Sequence, residues 1–348
     1  MASKVYKVLF FIIGVATLCY MVYALGLDVI WENIKKTGWW FLPVIGSWLV
    51  IYIFNAVAFK AIIQEPDIPS SNLHFLTVLK LTISGYAINY ITPFVALGGE
   101  PYRIMELKPR LGIQKASSSV LLYSLMHMFS HVLFWLASII LILLYVPANT
   151  IMITGCLVMF VTGVVLVYWF SRVYQKGFTL STFRLLAKIP GLKKKVGAFV
   201  AEKQESLKEI DSQITELYAQ RRDRFWKSLG FEFIARVVGC LEIYCTARAI
   251  GLQMSIIQSL IISSGSSLFA NLIFFFPMQL GTREGGLALA LKSVGMPASS
   301  GIFIGIIMRI RELVWIIIGL ALMKVNKSST EEYIEDLQKN NSDVSVKT

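Results

Sequence analysis

A run of about 20 apolar residues can cross a bilayer as a helix, and few sequence features limit a fold so tightly. Six runs close to that length occur here, at about residues 5–25, 39–59, 116–145, 150–171, 226–250 and 299–323. The rest of the composition agrees with them. Charged residues make up 16% of the 348 positions and hydrophobic residues 56%, whereas soluble domains carry about a quarter charged residues. Mean hydropathy is +0.65. The expected fold class is an all-α polytopic integral membrane protein. The net charge of +12 would suggest a nucleic-acid partner in a soluble chain. Here the basic residues gather between apolar runs, with no zinc-finger spacing and no aromatic-interleaved basic stripe, so none is expected. Cys19, Cys156, Cys240 and Cys245 all lie within apolar runs. They read as packing residues, not as a disulfide framework or metal site.

Two further apolar stretches, about 73–112 and 256–296, are broken by related octapeptides, "PFVALGGE" from Pro93 and "PMQLGTRE" from Pro277. Each puts proline first, glycine in the middle and glutamate eighth. Loop charges indicate what the first stretch does. The segment 172–227 holds 13 Lys/Arg and 6 Asp/Glu, so it belongs on the cytoplasmic side. The N-terminus carries Lys4 and Lys7 before an apolar run longer than a signal h-region of about 7–15 residues. That pattern reads as an uncleaved first span with its N-terminus in the cytoplasm. If residues 73–92 crossed fully, Arg103, Lys108, Arg110, Lys115 and the basic 172–227 segment would all lie outside. A hairpin that bends at Pro93 and returns keeps every basic segment inside.

Taking 256–296 as a second hairpin, entering from the other face, also puts the C-terminus in the cytoplasm. The tail itself, with 4 Lys and 5 Asp/Glu from Lys324 onward, decides little. The reading is then about six spans plus two re-entrant helical hairpins arranged as an inverted repeat. Residues 39–145 run span, hairpin, span, and residues 226–323 repeat that order with opposite orientation, as in secondary transporters. In the linker 172–225, "STFRLLAKIPGLKKK" reads as a short basic helix stopped at Pro190 and Gly191. After it, Val200, Leu207, Ile210, Ile214 and Leu217 define an amphipathic helix on the bundle or on the anionic inner leaflet. Residues 1–325 form the membrane domain, and 326–348 are expected to be a frayed polar tail.

Broken backbone at membrane depth requires cover from protein or a water-filled cavity. In "PFVALGGEPYR", Gly98 and Gly99 permit a tight turn, Glu100 can cap, Pro101 suits a first helical position and Arg103 falls in the first turn. A helix start beside a guanidinium is an anion site. In "PMQLGTREGG", Gly281 serves the turn, Thr282 can cap, and Arg283 and Glu284 fall in the first turn. Glu100 and Glu284 can hold an amine, a proton or only the nearby arginines. The plain alternative is that Glu100 neutralises Arg103, and Arg283 neutralises Glu284, to stabilise two turns.

Asn89 and Asn271 precede the two prolines and can cap or bind. Glu232 and Arg236 are spaced for an intrahelical pair. Arg309, Arg311 and Glu312 sit mid-span and should face the interior, as a cavity lining or as structural pairs. His127 and His131 share a helix face but lack a third ligand at metal-site spacing, so a polar contact or proton relay is the better reading. The serines at 117–119 and 263–267 read as small-residue packing surfaces. No hydrolase triad and no GxxxxGK[ST] loop occurs, so neither ATP use nor any cofactor is expected.

The elements "TPFVALGGEPYR" (Thr92 to Arg103) and "PMQLGTREGG" (Pro277 to Gly286) resemble those of a known family. It is the flippase-like transmembrane domain of bacterial lysylphosphatidylglycerol synthases and its stand-alone relatives, and the likeness covers about residues 5–325. The second element has "MQLG" where relatives tend to carry more glycine. The resemblance implies movement of a lipid, one with a modified headgroup included, between leaflets, with Glu100, Arg103, Arg283 and Glu284 lining the headgroup cavity. Full-length synthases also carry a soluble aminoacyltransferase domain that uses charged transfer RNA. This sequence runs 25 residues beyond position 323, and that chemistry is not expected of it.

The functional expectation is a flippase of the plasma or inner membrane for an anionic or isoprenoid-phosphate lipid, its phosphate held by helix starts and arginines. Two alternatives stay open: a non-catalytic membrane partner of a separately encoded lipid synthase or glycosyltransferase, and an intramembrane lipid transferase with Glu100 or Glu284 as base.

Overall fold

The computed structural model describes residues 26–65, 69–92, 98–147, 150–177, 193–272 and 282–345, plus isolated positions 19, 20, 23, 179, 182 and 183. Pro93, Pro277, Gly281, most of the first apolar run and most of the "STFRLLAKIPGLKKK" segment lie outside the described residues. Those that are described are helical, with no strand among them. Three stretches are long and apolar enough to cross a bilayer by themselves: Leu27–Ile63, Gly99–Tyr145 and Met152–Lys176.

The first contains α1 (Leu27–Thr37), a 3-10 turn and α2 (Phe41–Ile63). Then come α3 (Phe75–Ile91), α4 (Gly99–Tyr145), α5 (Thr150–Lys176) and α6 (Lys193–Ala219). The chain closes with α7 (Arg222–Val238), α8 (Cys240–Ala249), α9 (Ile256–Leu272), α10 (Thr282–Ser293) and α11 (Ser300–Ser345).

Several helices are short for a bilayer. α3 and α9 have 17 residues each and α10 has 12. At 1.5 Å per residue they reach about 18–26 Å, less than the roughly 30 Å of hydrocarbon. α4 is long but not one rod. Gly112 takes φ 76°, a left-handed value that only glycine adopts at no steric cost. It separates residues 99–111 from the long segment 113–145, at the boundary expected from sequence. The 226–250 stretch, expected as one span, is instead two helices that meet at Gly239, a poor helix former. The tail is also corrected. Neither glycine nor proline occurs after Gly319, and the backbone continues as helix to Ser345 instead of fraying.

α2 lies against α7, and several helix contacts recur in pairs. α2 on α3 is matched by α8 on α9, and α3 on α4 by α9 on α10. α3 on α11 is matched by α9 on α4. Small residues permit these close crossings. Ser84 Oγ donates to the Gly319 carbonyl at 3.0 Å between α3 and α11. Trp135 Nε1 donates to Ser267 Oγ at 2.8 Å between α4 and α9. The serine stretches expected as packing surfaces do bury Ser118, Ser119, Ser264 and Ser266.

The largest core cluster joins Phe59, Ile88, Tyr123, Met126, Phe129 and Tyr174 from α2, α3, α4 and α5. α6 presses Leu207, Ile214 and Leu217 against α4 and α5, so the amphipathic linker helix lies on the bundle. A polar knot fastens the ends of α2 and α6, and the stretch of α4 just past Gly112, to the start of α7. Glu65 pairs with Lys115, and with Arg221 at 2.9 Å. Arg221 also holds Glu216 at 2.8 Å, and Ser118 donates to Gln213.

Burial works to raise the Glu65 carboxyl, but Lys115 and then Arg221 overcome it and hold Glu65 below the usual carboxylate range. A depressed folded pKa gives stability above the unfolded value, about 4.3 for Glu, that is lost as pH falls through the lower folded value. The thermal midpoint in detergent should therefore stay level from pH 7 to about pH 5 and drop below about pH 4.3. Glu65→Gln should start lower at pH 7 and lose less on acidification, measured by intrinsic fluorescence during heating.

Candidate functional site

The polar side chains that the apolar helices carry inward form three groups. The first gathers where α3, the start of α4 and α7 meet. α4 begins at Gly99, whose N–H donates to Asn89 Oδ1 at 2.7 Å. Asn89 thus acts as a cap, as one of its two expected roles, but for the next helix. Pro101 has no N–H and the Gly99 N–H is taken, so fewer helix-start donors remain for an anion than the motif implied. The site then depends on its side chains.

Arg103 is almost fully buried. Its Cζ lies 5.0 Å from the Tyr86 ring centroid, 5.3 Å from Tyr123 and 6.0 Å from Phe59. Aromatic faces attract the guanidinium but offer it no acceptor atoms. Arg103 Nη1 is 3.6 Å from Glu100 Oε1, beyond normal hydrogen-bond reach. Its Nε and Nη2 are buried without hydrogen-bond partners among the described residues, and so is Glu100 Oε2. Glu100 Oε1 is only loosely contacted by Asn89 Nδ2 and Ser124 Oγ, both at 3.5 Å. The Glu100–Arg103 pair of the plain alternative is therefore slack, with unused donors on one member and an unused acceptor on the other among the described residues.

Gly85 makes room for this arrangement. A Cβ there would lie 2.8 Å from Arg103 Cζ, closer than packed atoms come.

Next to this group lies a second buried knot. Glu232 accepts from Asn55 Nδ2 at 2.8 Å, and its Oε2 is 2.8 Å from His127 Nδ1. The expected Glu232–Arg236 pair forms at 3.5 Å, and Arg236 also reaches the His127 ring. Tyr86 Oη bridges the two groups, 3.0 Å from His127 Nδ1 and 3.1 Å from Tyr123 Oη.

The third group belongs to the second half. The plain alternative paired Arg283 with Glu284, yet both reach across to α11. Arg283 pairs with Glu312, and Arg309 grips Glu284 with Nε at 2.7 Å and Nη2 at 3.2 Å. Adjacent residues on a helix point in different directions, so partners on α11 serve them better than each other. Arg311 forks onto Glu242 at 2.8 and 3.2 Å, lies 3.6 Å over the Trp48 ring, and shares Glu242 with Trp48 Nε1 at 2.7 Å. Asn271 stands apart from these buried charges. It is exposed, and its amide donates to the Ser267 carbonyl one turn back at 2.7 Å.

Sequence reasoning did not single out Glu242, Asn55, Tyr86 or Tyr123. The signal was present for two of them. Glu242 is the lone charge in "CLEIYC", and Asn55 the lone amide in "IYIFNAVAF"; either is costly in hydrocarbon unless it meets a partner.

The family model described as "Lysylphosphatidylglycerol synthase TM region" matches residues 5–320. The chain belongs to this family. It is a helical membrane protein of a lipid-related family. No curated protein matches the chain, and no solved structure does.

The slack Arg103 position yields a prediction. Gly85→Ala should displace the guanidinium and lower the thermal midpoint in detergent by several degrees, the cost of overpacking being about 1–3 kcal/mol. Intrinsic fluorescence during heating checks this, with Gly46→Ala, where no atom lies near the added Cβ, keeping the wild-type midpoint.

Proposed function

We propose that the protein moves a phosphate-bearing lipid, or one with a modified headgroup, between the leaflets of the plasma or inner membrane. One observation carries this reading: Arg103 is buried with unused donors beside a carboxylate with an unused acceptor. An arginine facing hydrocarbon costs about 2.5–3.5 kcal/mol on insertion scales, and an unpaired buried donor adds to that cost. A lipid phosphate on Nε and Nη2 would relieve the first deficit, and a headgroup amine on Glu100 the second. The acyl chains would stay in the bilayer.

The paired helix contacts support an inverted repeat, and so do α3, α9 and α10, too short to span, beside the two octapeptides. In that arrangement 39–145 and 226–323 are inverted halves, each with a re-entrant hairpin, and both termini are cytoplasmic. The cavity would open to each leaflet in turn. Arg283, Glu284, Arg309 and Glu312 would line its second side, where ion pairs hold α10 to α11. That double grip on Glu284 leaves it poorly placed as a catalytic base. No cofactor enters this reading.

Leaflet-resolved transfer of phosphatidylglycerol in proteoliposomes tests it. Arg103→Ala should slow transfer at least tenfold, and Arg103→Lys should keep the charge but recover only part of the rate, since its ammonium lacks the planar fork. Equal transfer by all three proteins would overturn the assignment.

A further inference from the structure

Beside the Arg103 site lies a group of a different chemical kind. The second half carries arginine–carboxylate pairs and no imidazole among its described residues. The knot at Glu232 contains imidazole, the one side chain whose ordinary titration falls near physiological pH. The sequence has 3 histidines. His74 caps α3 through Leu76 N, and the other two, His127 and His131, are both here on α4.

The atoms around His127 Nδ1 make conflicting demands. Glu232 Oε2 at 2.8 Å is an acceptor and requires a proton on Nδ1. Arg236 Nη2, 2.6 Å from both Nδ1 and Nε2, can only donate and requires a lone pair. Tyr86 Oη at 3.0 Å can take either role. A neutral ring can satisfy both Glu232 and Arg236, one at each nitrogen. A doubly protonated ring has no lone pair, carries positive charge and must expel Arg236. The ring therefore has two mutually exclusive sets of partners, selected by one proton.

We propose that the Glu232–His127 pair is a proton-binding site coupled through Tyr86 and Tyr123 to the Arg103 site, and that a proton gradient drives the lipid movement. The inference rests on the transport reading above. A proton taken from water converts imidazole to imidazolium, with Nδ1–H donated to Glu232, and return of that proton to water restores the neutral ring. Uptake puts the second proton on Nε2 and displaces Arg236, while Nδ1–H stays with Glu232; the new positive charge then faces Arg103 across the Tyr86 and Tyr123 rings.

Tyr86 and Tyr123 are also the rings that face Arg103, so the proton and the headgroup meet the same two side chains. Among the described residues, the groups facing the site are Asn55 from α2, Tyr86 from α3, Arg103, Tyr123 and His131 from α4, and Glu232 and Arg236 from α7. His131 stands edge-on to His127 at 5.3 Å with no partner at Nδ1. A second positive charge is thus disfavoured there, and the cluster holds one proton at a time. Linkage is reciprocal, so a proton that changes lipid affinity is itself bound or released when lipid binds.

Two measurements test this. In proteoliposomes, phosphatidylglycerol transfer by the wild type with an imposed pH gradient should exceed transfer after nigericin by roughly fivefold or more, and the ratio should fall to one in His127→Gln. In weakly buffered detergent, adding phosphatidylglycerol should move protons, read with a pH dye. That signal should be lost in His127→Gln and Glu232→Gln. A wild-type ratio of one, or no proton movement on lipid addition, overturns the proton coupling while leaving transport standing. Proton movement without any transfer in vesicles overturns transport and retains the linkage between proton and lipid.

Discussion

A charge removed from water must find a partner, and the interior of this bundle is arranged around that requirement. The apolar helices cannot hold arginines and carboxylates at membrane depth unless neighbouring helices bring the opposite charge. α11 does so for α10 through Arg309 and Glu312, and α8 does so for α11 through Glu242. Breaking any of these pairs would leave a buried charge uncompensated, which costs more than the intact pair contributes. The pairs therefore fix which helices may neighbour which. Measured against that pattern, Arg103 is the exception, packed among rings with its one carboxylate, Glu100, beyond hydrogen-bond reach at 3.6 Å.

Small residues set the distances at which these charges can meet. Gly319 admits α11 to α3, Gly85 admits the Arg103 side chain, and Gly99 begins α4 against Asn89. Larger side chains at these points would separate helices that the ion pairs need close together. Packing and electrostatics are coupled here, because neither the charged groups nor the crossings could be kept without the other. The linker helix α6, fastened through Glu65, Lys115 and Arg221, closes one end of the same bundle.

Much of this was legible in the sequence for a simple reason: hydrocarbon imposes length and polarity on helices so strictly that apolar runs reveal them. The break at Gly112, the inward position of Arg309 and Glu312, and the burial of Leu207, Ile214 and Leu217 followed from periodicity and charge. Partner choice was not legible. Arg283 and Glu284 are adjacent in sequence yet bind residues 29 and 25 positions away, a matter of helix crossing that spacing alone does not encode. Glu242 and Asn55 were overlooked because each is a single polar residue in an apolar run. The helical tail defied its polar composition because nothing in it breaks a helix.

The central claim is that the unsatisfied guanidinium of Arg103 is the place where a lipid headgroup sits. Phosphatidylglycerol carrying a photoreactive group beside its phosphate tests it directly, with crosslinked peptides mapped by mass spectrometry. The expected result is labelling at Tyr86 and Tyr123 that unlabelled lipid suppresses and Arg103→Ala abolishes. Labelling confined to the exposed face of α5, around Leu157, Val161 and Val165, and unchanged in Arg103→Ala, would contradict it.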